Sequence, residues 1–221
     1  MLRAKDNPFA VDRIRQIRYE PPEESWKSLL ERLAVMKYRG AIVGPCGSGK
    51  TTLCEDLQIR LRLEGMQTQQ LFVSMDIHMT WQDIQCVLAL PFDVILVDGA
   101  DHMSWLTWQR LKHYVLSKKR GLVVTTHRPG LLPTWYECLT SLALFERIVD
   151  HLNPDQSIHP EHIRESYDRW QGNIRDALRE LYDLVSIEGC LTKSHSGITK
   201  GVVCPRPRSE RVAGKTAANR N

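Results

Sequence analysis

Short, nearly unbroken apolar runs alternate along this 221-residue chain with longer stretches in which apolar residues recur every third or fourth position. The first pattern is that of strands buried on both faces, the second that of helices covering them. Acidic residues after Pro22 (Glu23, Glu24, Ser25) open a predicted helix with Trp26, Leu29, Leu30 and Leu33 on one face, which Gly40 is expected to stop. Strand Arg39–Val43 and helix 50–64 follow, broken at Gly65, then a strand over 70–75 and a helix over 79–90 ended by Pro91. Residues 92–98 form the clearest later strand, followed by helix Trp105–Ser117, a strand over 121–127, a short strand over 137–140 and a helix over 141–152. Beyond that the strand pattern stops, and two helices over 159–170 and 173–187 are separated by Gln171 and Gly172.

Strands alternating with helices predict a parallel α/β sheet with crossover connections, and the two late helices a small lid. The expected division is an N-terminal arm (1–22), the α/β domain (23–153), the lid (154–188) and a basic tail (189–221). The tail is rich in Gly, Ser, Thr, Lys, Pro and Arg without periodicity, so it is expected to be disordered.

Charge changes the picture once it is divided. The net charge is +4, yet seven Lys or Arg against Glu210 give the tail +6 and leave −2 for the rest. A polynucleotide substrate held by the folded body is therefore weakly supported, while the tail remains a candidate for electrostatic contact with nucleic acid. No apolar stretch approaches the roughly 18 residues that span a bilayer, so no membrane role is expected. The opening residues lack the apolar core of a secretion signal, so a cytoplasmic protein is expected. Six cysteines at 46, 54, 86, 138, 190 and 204 show no C-x-x-C pair and read as reduced thiols.

The candidate chemistry begins directly after the first strand. Gly44, Pro45, Cys46, Gly47, Ser48, Gly49, Lys50 and Thr51 form a complete G-x-x-x-x-G-K-[ST] loop leading through Thr52 into a helix. Such a loop wraps backbone N–H groups around phosphate oxygens, with Lys50 on the β- and γ-phosphates and the Thr51 hydroxyl on Mg²⁺. With the alternating pattern it predicts a three-layer P-loop NTPase sandwich with a five-stranded parallel sheet and a small C-terminal helical lid. Asp98 ends the third strand beside that loop and is a second candidate Mg²⁺ contact, so Thr51 and Asp98 form the expected metal set. ATP is preferred to GTP because no Asn-Lys-x-Asp guanine-reading motif occurs. Thr125, Thr126 and His127 end the fourth strand, where one of them can orient a lytic water. Arg175, one turn into the last helix, can lean toward the phosphates.

The ordered series 44–51, 94–98, 121–127 and 172–175 resembles an AAA+ ATPase over roughly residues 23 to 188, and the compact layout is similar to small bacterial AAA-type ATPases related to transposition and secretion helper ATPases. The resemblance implies ATP and Mg²⁺ as cofactors, Thr126 or His127 as sensor one, Arg175 as sensor two, assembly with further copies of the chain, and a protein partner it does not identify. It also implies an arginine finger, for which Arg110, Arg120 and Arg128 are candidates. Members of this class usually carry Glu after the strand-end Asp; here the position is Gly99, and losing a positioned base costs roughly 10²–10⁴-fold in rate. Asp101 and His102 are the nearest substitutes, so the expected catalytic set is Lys50, Asp98, Asp101, Thr126 and Arg175. Two other readings stand beside an ATPase with slow hydrolysis. One is a small-molecule kinase using Asp76 and the Lys118-Lys119-Arg120 cluster; the other is a non-catalytic, nucleotide-dependent interaction module.

Overall fold

The computed structural model describes residues 6–22, 24–76, 79–155 and 158–191. Five parallel strands, β1 (Arg39–Val43), β2 (Thr68–Phe72), β3 (Val94–Asp98), β4 (Gly121–Thr126) and β5 (Thr134–Glu137), lie in the order β2-β3-β4-β1-β5. The centre of the sheet is apolar on both faces, since every residue of β3 and β4 is buried. Helices α1 (Val11–Ile14), α2 (Trp26–Val35), α3 (Lys50–Leu63), α4 (Trp81–Leu88), α5 (Trp105–Ser117), α6 (Leu142–Leu152), α7 (Pro160–Arg169) and α8 (Ile174–Leu191) complete the described elements.

Side-chain alternation along each strand decides what meets what. Ile42, Val94, Leu96 and Val123 pack on one face against Leu29 and Leu33 of α2 and Leu53, Leu57 and Leu61 of α3. Ala41, Ile95, Val97, Leu122 and Val124 pack on the other against Ile84 of α4 and Trp108, Leu111 and Val115 of α5. The parity continues to the strand ends, so Asp98 and Thr125 emerge on the α3 face and Thr126 on the α5 face.

Several predicted boundaries shift, each for a local reason. The first turn of α2 holds no acidic residue: Ser25 caps the helix by accepting from Ser28 N–H, and Glu24, before the cap, pairs with Arg32 at 2.9 Å. That helix ends at Val35, before Lys37 and Tyr38 in left-handed backbone, and Gly40 belongs to β1. Strand β2 lies two residues earlier than predicted because it pairs from Thr68 opposite Val94 to Phe72 opposite Asp98. Strand β5 ends where its prediction began, since buried Trp135 anchors it by donating Nε1–H to the Leu29 carbonyl at 3.1 Å. Helix α4 starts at a capping box between Thr80 and Asp83. Helix α8 runs on past Ile187 to Leu191; the rest of the predicted basic tail lies outside the described residues.

Helix α6 and the two helices of the expected lid, α7 and α8, surround a third core of Phe145, Val149, Leu152, Ile163, Ile174, Leu178 and Leu181, and the arm contributes to it. Phe9 is 1% exposed within this core. Buried Asn7 holds it there, donating Nδ2–H to the Tyr182 carbonyl at 2.9 Å and the Ser186 hydroxyl at 3.0 Å while its Oδ1 accepts from Phe9 N–H at 2.9 Å. Farther on, Asp56 of α3 accepts from Tyr19 N–H at 2.5 Å and the Arg18 guanidinium at 2.9 Å. The arm therefore straps the lid to the helix that follows the phosphate loop. Asn7→Ala removes both outgoing bonds and takes from the buried Phe9 N–H its acceptor, so it should lower stability by about 1–3 kcal/mol. Denaturant unfolding checks this, and an unchanged midpoint would remove the strap from the fold's stability.

Candidate functional site

The phosphate-binding loop turns between β1 and α3 with two glycines in left-handed backbone, Gly47 at φ 71° and Gly49 at φ 88°, which favours glycine at both. The lid closes on Gly47 directly: a Cβ there would stand 1.8 Å from Asn173 Oδ1 and 3.1 Å from Arg175 N. Lys50 donates to the Gly44 and Pro45 carbonyls, both at 2.7 Å, and burial holds its ammonium below the ordinary lysine range.

Two buried oxygens among the described residues lack a hydrogen-bond partner, Ser48 Oγ in the loop and Asp98 Oδ2 at the end of β3. The other Asp98 oxygen accepts the Thr125 hydroxyl at 2.5 Å, and Thr125 Oγ1 in turn accepts from Gly99 N–H at 2.8 Å. A buried carboxylate with one satisfied oxygen is costly by itself and is the donor type that hard cations take. The donor set of Thr51 and Asp98 therefore fits Mg²⁺, and the loop fits a phosphate.

A cavity of about 520 Å³ runs from this loop between the arm and the lid. Its polar end is formed by Gly47, Ser48, Gly49, Thr51 and Thr52, joined by Arg175 of α8 and Arg147 of α6. The cavity is lined as well by apolar Ile14 and Ile17 of the arm, Ile148 of α6 and Leu178 of α8, which belong to one apolar cluster. Arg147 and the arm residues were not singled out by motif. The signal in the sequence was the i, i+3, i+4 row Leu144, Arg147, Ile148, one cation within an otherwise apolar stripe.

Other expected residues go elsewhere. Thr126 turns its hydroxyl to the Arg128 carbonyl at 3.0 Å, whereas Thr125 reaches Asp98. Asp101 Oδ2 accepts both the His127 backbone N–H at 3.0 Å and ring Nδ1 at 2.5 Å. Burial pushes the Asp101 carboxyl up, but these two bonds outweigh it and hold the group below the ordinary carboxylate range. Asp101, His102 and His127 bring three potential ligand atoms within 4.8 Å of one another. Of the arginine-finger candidates, Arg120 pairs with Asp93 at 2.8 Å at the start of β4, so the Lys118-Lys119-Arg120 cluster stands at the end of the sheet opposite the phosphate loop.

Gly99, where a catalytic Glu is usual in the class resembled, lies at φ 84°, and a Cβ there would stand 2.2 Å from the Val73 carbonyl oxygen. A side chain fits only if the backbone between β2 and β3 moves. Gly99→Glu should thus destabilise the fold by at least about 1–3 kcal/mol and fail to raise nucleotide turnover. Thermal unfolding together with phosphate release checks both halves; a stable variant with faster release would contradict them.

No protein-family model matches the sequence, and neither does any curated protein. Among solved structures, the chain is similar to the Thermotoga maritima RuvB Holliday junction branch migration motor at 19% identity and TM-score 0.54, covering 83% of this chain and 67% of that one. A mutant form of the same RuvB matches at 17% identity and TM-score 0.54, over 75% of this chain and 64% of its own. AMPPCP-bound DnaA from Aquifex aeolicus matches at 15% identity and TM-score 0.53, over 80% and 66%. The chain spans 64% to 67% of the length of these three proteins. RuvB and DnaA are AAA+ P-loop ATPases, and at these identities the likeness is one of fold. The chain has the three-layer α/β fold of such AAA+ P-loop domains, a five-stranded parallel sheet flanked by helices.

Proposed function

We propose that this chain binds ATP with Mg²⁺ in the cavity between loop, arm and lid, and that nucleotide occupancy, followed by slow hydrolysis, sets how the lid is held. The observation that carries this reading is the cavity itself, about 520 Å³, which joins the phosphate-type loop and two arginines with apolar Ile14, Ile17, Ile148 and Leu178. Lys50 and the loop N–H groups hold the β- and γ-phosphates, and Arg175 and Arg147 neutralise charge from the lid side. Mg²⁺, held by Thr51 and Asp98, would neutralise developing charge on the transferred phosphoryl group. Thr125 fixes the Asp98 carboxylate, and the lid excludes water from the phosphates.

The nucleotide touches arm, loop and lid at once, so its binding is linked to the position of α8. A partner that reads that position is the natural recipient of the signal, and the resemblance to AAA+ proteins makes a second copy of the chain the first partner to test. RuvB is a branch migration motor acting on Holliday junctions; a nucleic-acid role for this chain rests on its basic tail alone. The interaction-module reading is favoured by one observation, the absence of a side chain at Gly99. The kinase reading loses its basic cluster to the far end of the sheet.

Calorimetry on the full chain should show magnesium-dependent binding of ATP in preference to GTP. Lys50→Ala should weaken it by about 1.5–3 kcal/mol, roughly 10- to 150-fold. Equal binding of ATP by wild type and Lys50→Ala would overturn the site. Single-turnover phosphate release then separates the two readings, since tight binding without release selects the interaction module.

A further inference from the structure

Outside the phosphate contacts, three loops bring together Cys46, His127 and Asp101. Cys46 is exposed in the phosphate-binding loop, and its Sγ lies 3.2 Å from His127 Nε2. His127 follows β4, and Asp101 lies in the short turn after β3. Because the Asp101 carboxylate takes the proton on Nδ1, Nε2 is left with its lone pair toward the thiol. That is the arrangement of a nucleophile, a base and a group that orients the base. The other thiols of the described residues differ: Cys54 and Cys138 are buried, with burial pushing Cys138 up to about 11, and exposed Cys86 on α4 has no such partner there.

We infer that Cys46 is a modification site, a thiol that His127 and Asp101 activate toward hydroperoxides, and whose oxidation turns off nucleotide binding at the adjoining loop. In the step, Sγ attacks the distal oxygen of a hydroperoxide. An S–O bond forms as the O–O bond breaks, the thiol proton passes to Nε2, and it then leaves with the departing oxygen as water or an alcohol. Cysteine becomes sulfenic acid, and the peroxide is reduced. Cys46 directly follows Pro45, whose carbonyl accepts from the Lys50 ammonium at 2.7 Å. The added oxygen is an acceptor beside that ammonium, where it competes with phosphate. The second half of the inference rests on the nucleotide-binding reading; the first half does not.

The test uses the full-length reduced chain in chelator-treated buffer, pulsed with hydrogen peroxide and trapped with dimedone, each cysteine being followed by peptide mass spectrometry. Cys46 should react about tenfold or more faster than Cys86. His127→Gln and Asp101→Asn should each slow Cys46 by several-fold to tenfold while leaving the Cys86 rate unchanged, which a merely loosened fold would not do. Separately, peroxide should lower the affinity of wild type for Mg²⁺ and a non-hydrolysable ATP analogue by at least tenfold, and dithiothreitol should restore it. Cys86→Ser should remain sensitive, and the affinity of Cys46→Ser, whatever its starting value, should not respond. Equal rates at Cys46 and Cys86, undiminished reaction in folded His127→Gln and Asp101→Asn, or oxidised protein that binds as well as reduced protein would overturn the inference. If one variant misfolds, exposing Cys54 to the trap, the wild-type rate ratio and the other variant decide. Reduced wild type that fails to bind the analogue defeats the nucleotide reading and the gating with it, and the rate ratio still decides activation.

Discussion

Three strand ends converge on the backbone around Asp98 and Gly99, and the site depends on that convergence. Val73 N–H donates to the Asp98 carbonyl at 2.8 Å, extending the β2–β3 pairing by one residue. Thr125 of β4 closes the knot from the other side, giving its hydroxyl proton to Asp98 and accepting from Gly99 N–H. The turn that makes these bonds leaves Gly99 in left-handed backbone against the Val73 carbonyl, so the bonds that bury Asp98 also exclude a side chain at the next position. Burying a carboxylate costs several kcal/mol unless it is paired, and here the protein satisfies only one oxygen. A cation there would stabilise the folded chain by mass action, which ties fold stability to ligand binding at this strand end.

A second constraint runs through the arm. The pair between Arg18, 68% exposed, and Asp56 adds only about 0–1 kcal/mol by its charge. The bond from Tyr19 N–H to the same buried carboxylate, and those of Asn7 in the lid, are the ones that fix the path. The segment between them lines the cavity, and so do the loop and α8. Whatever occupies the cavity touches arm, loop and α8 at once.

The central strands were legible because burial on both faces leaves an apolar run, and the phosphate-binding loop because its geometry demands glycine at fixed spacing. Edge strands β2 and β5 were misplaced by two or three residues because Thr68, Gln69, Gln70, Thr134 and Glu137 are held by pairing to a central strand and not by an apolar run. The choice between Thr125 and Thr126 needed the parity of β4 relative to β3, which follows from register and not from either sequence alone. The segment from Asn7 to Pro22 was legible as an arm, but not what it packs on, since Asn7 finds its partner, Tyr182, 175 positions away. The Cys46–His127 contact joins two loops 81 positions apart, with no local spacing to announce it.

The same loop geometry bears on the missing base. Asp101 was the nearest substitute for a glutamate at position 99, but its Oδ2 is committed to two hydrogen bonds from His127 and its charge is held by them. A carboxylate stabilised as an anion in this way is a weaker proton acceptor than a free one, because each bond that lowers its affinity for a proton also lowers its driving force as a base. Making Asp101 a strong base would require breaking the contact that orients His127. The strand-end knot and the Asp101–His127 pair thus both fix polar groups beside the phosphate-binding loop, one by burying Asp98 and the other by committing Asp101.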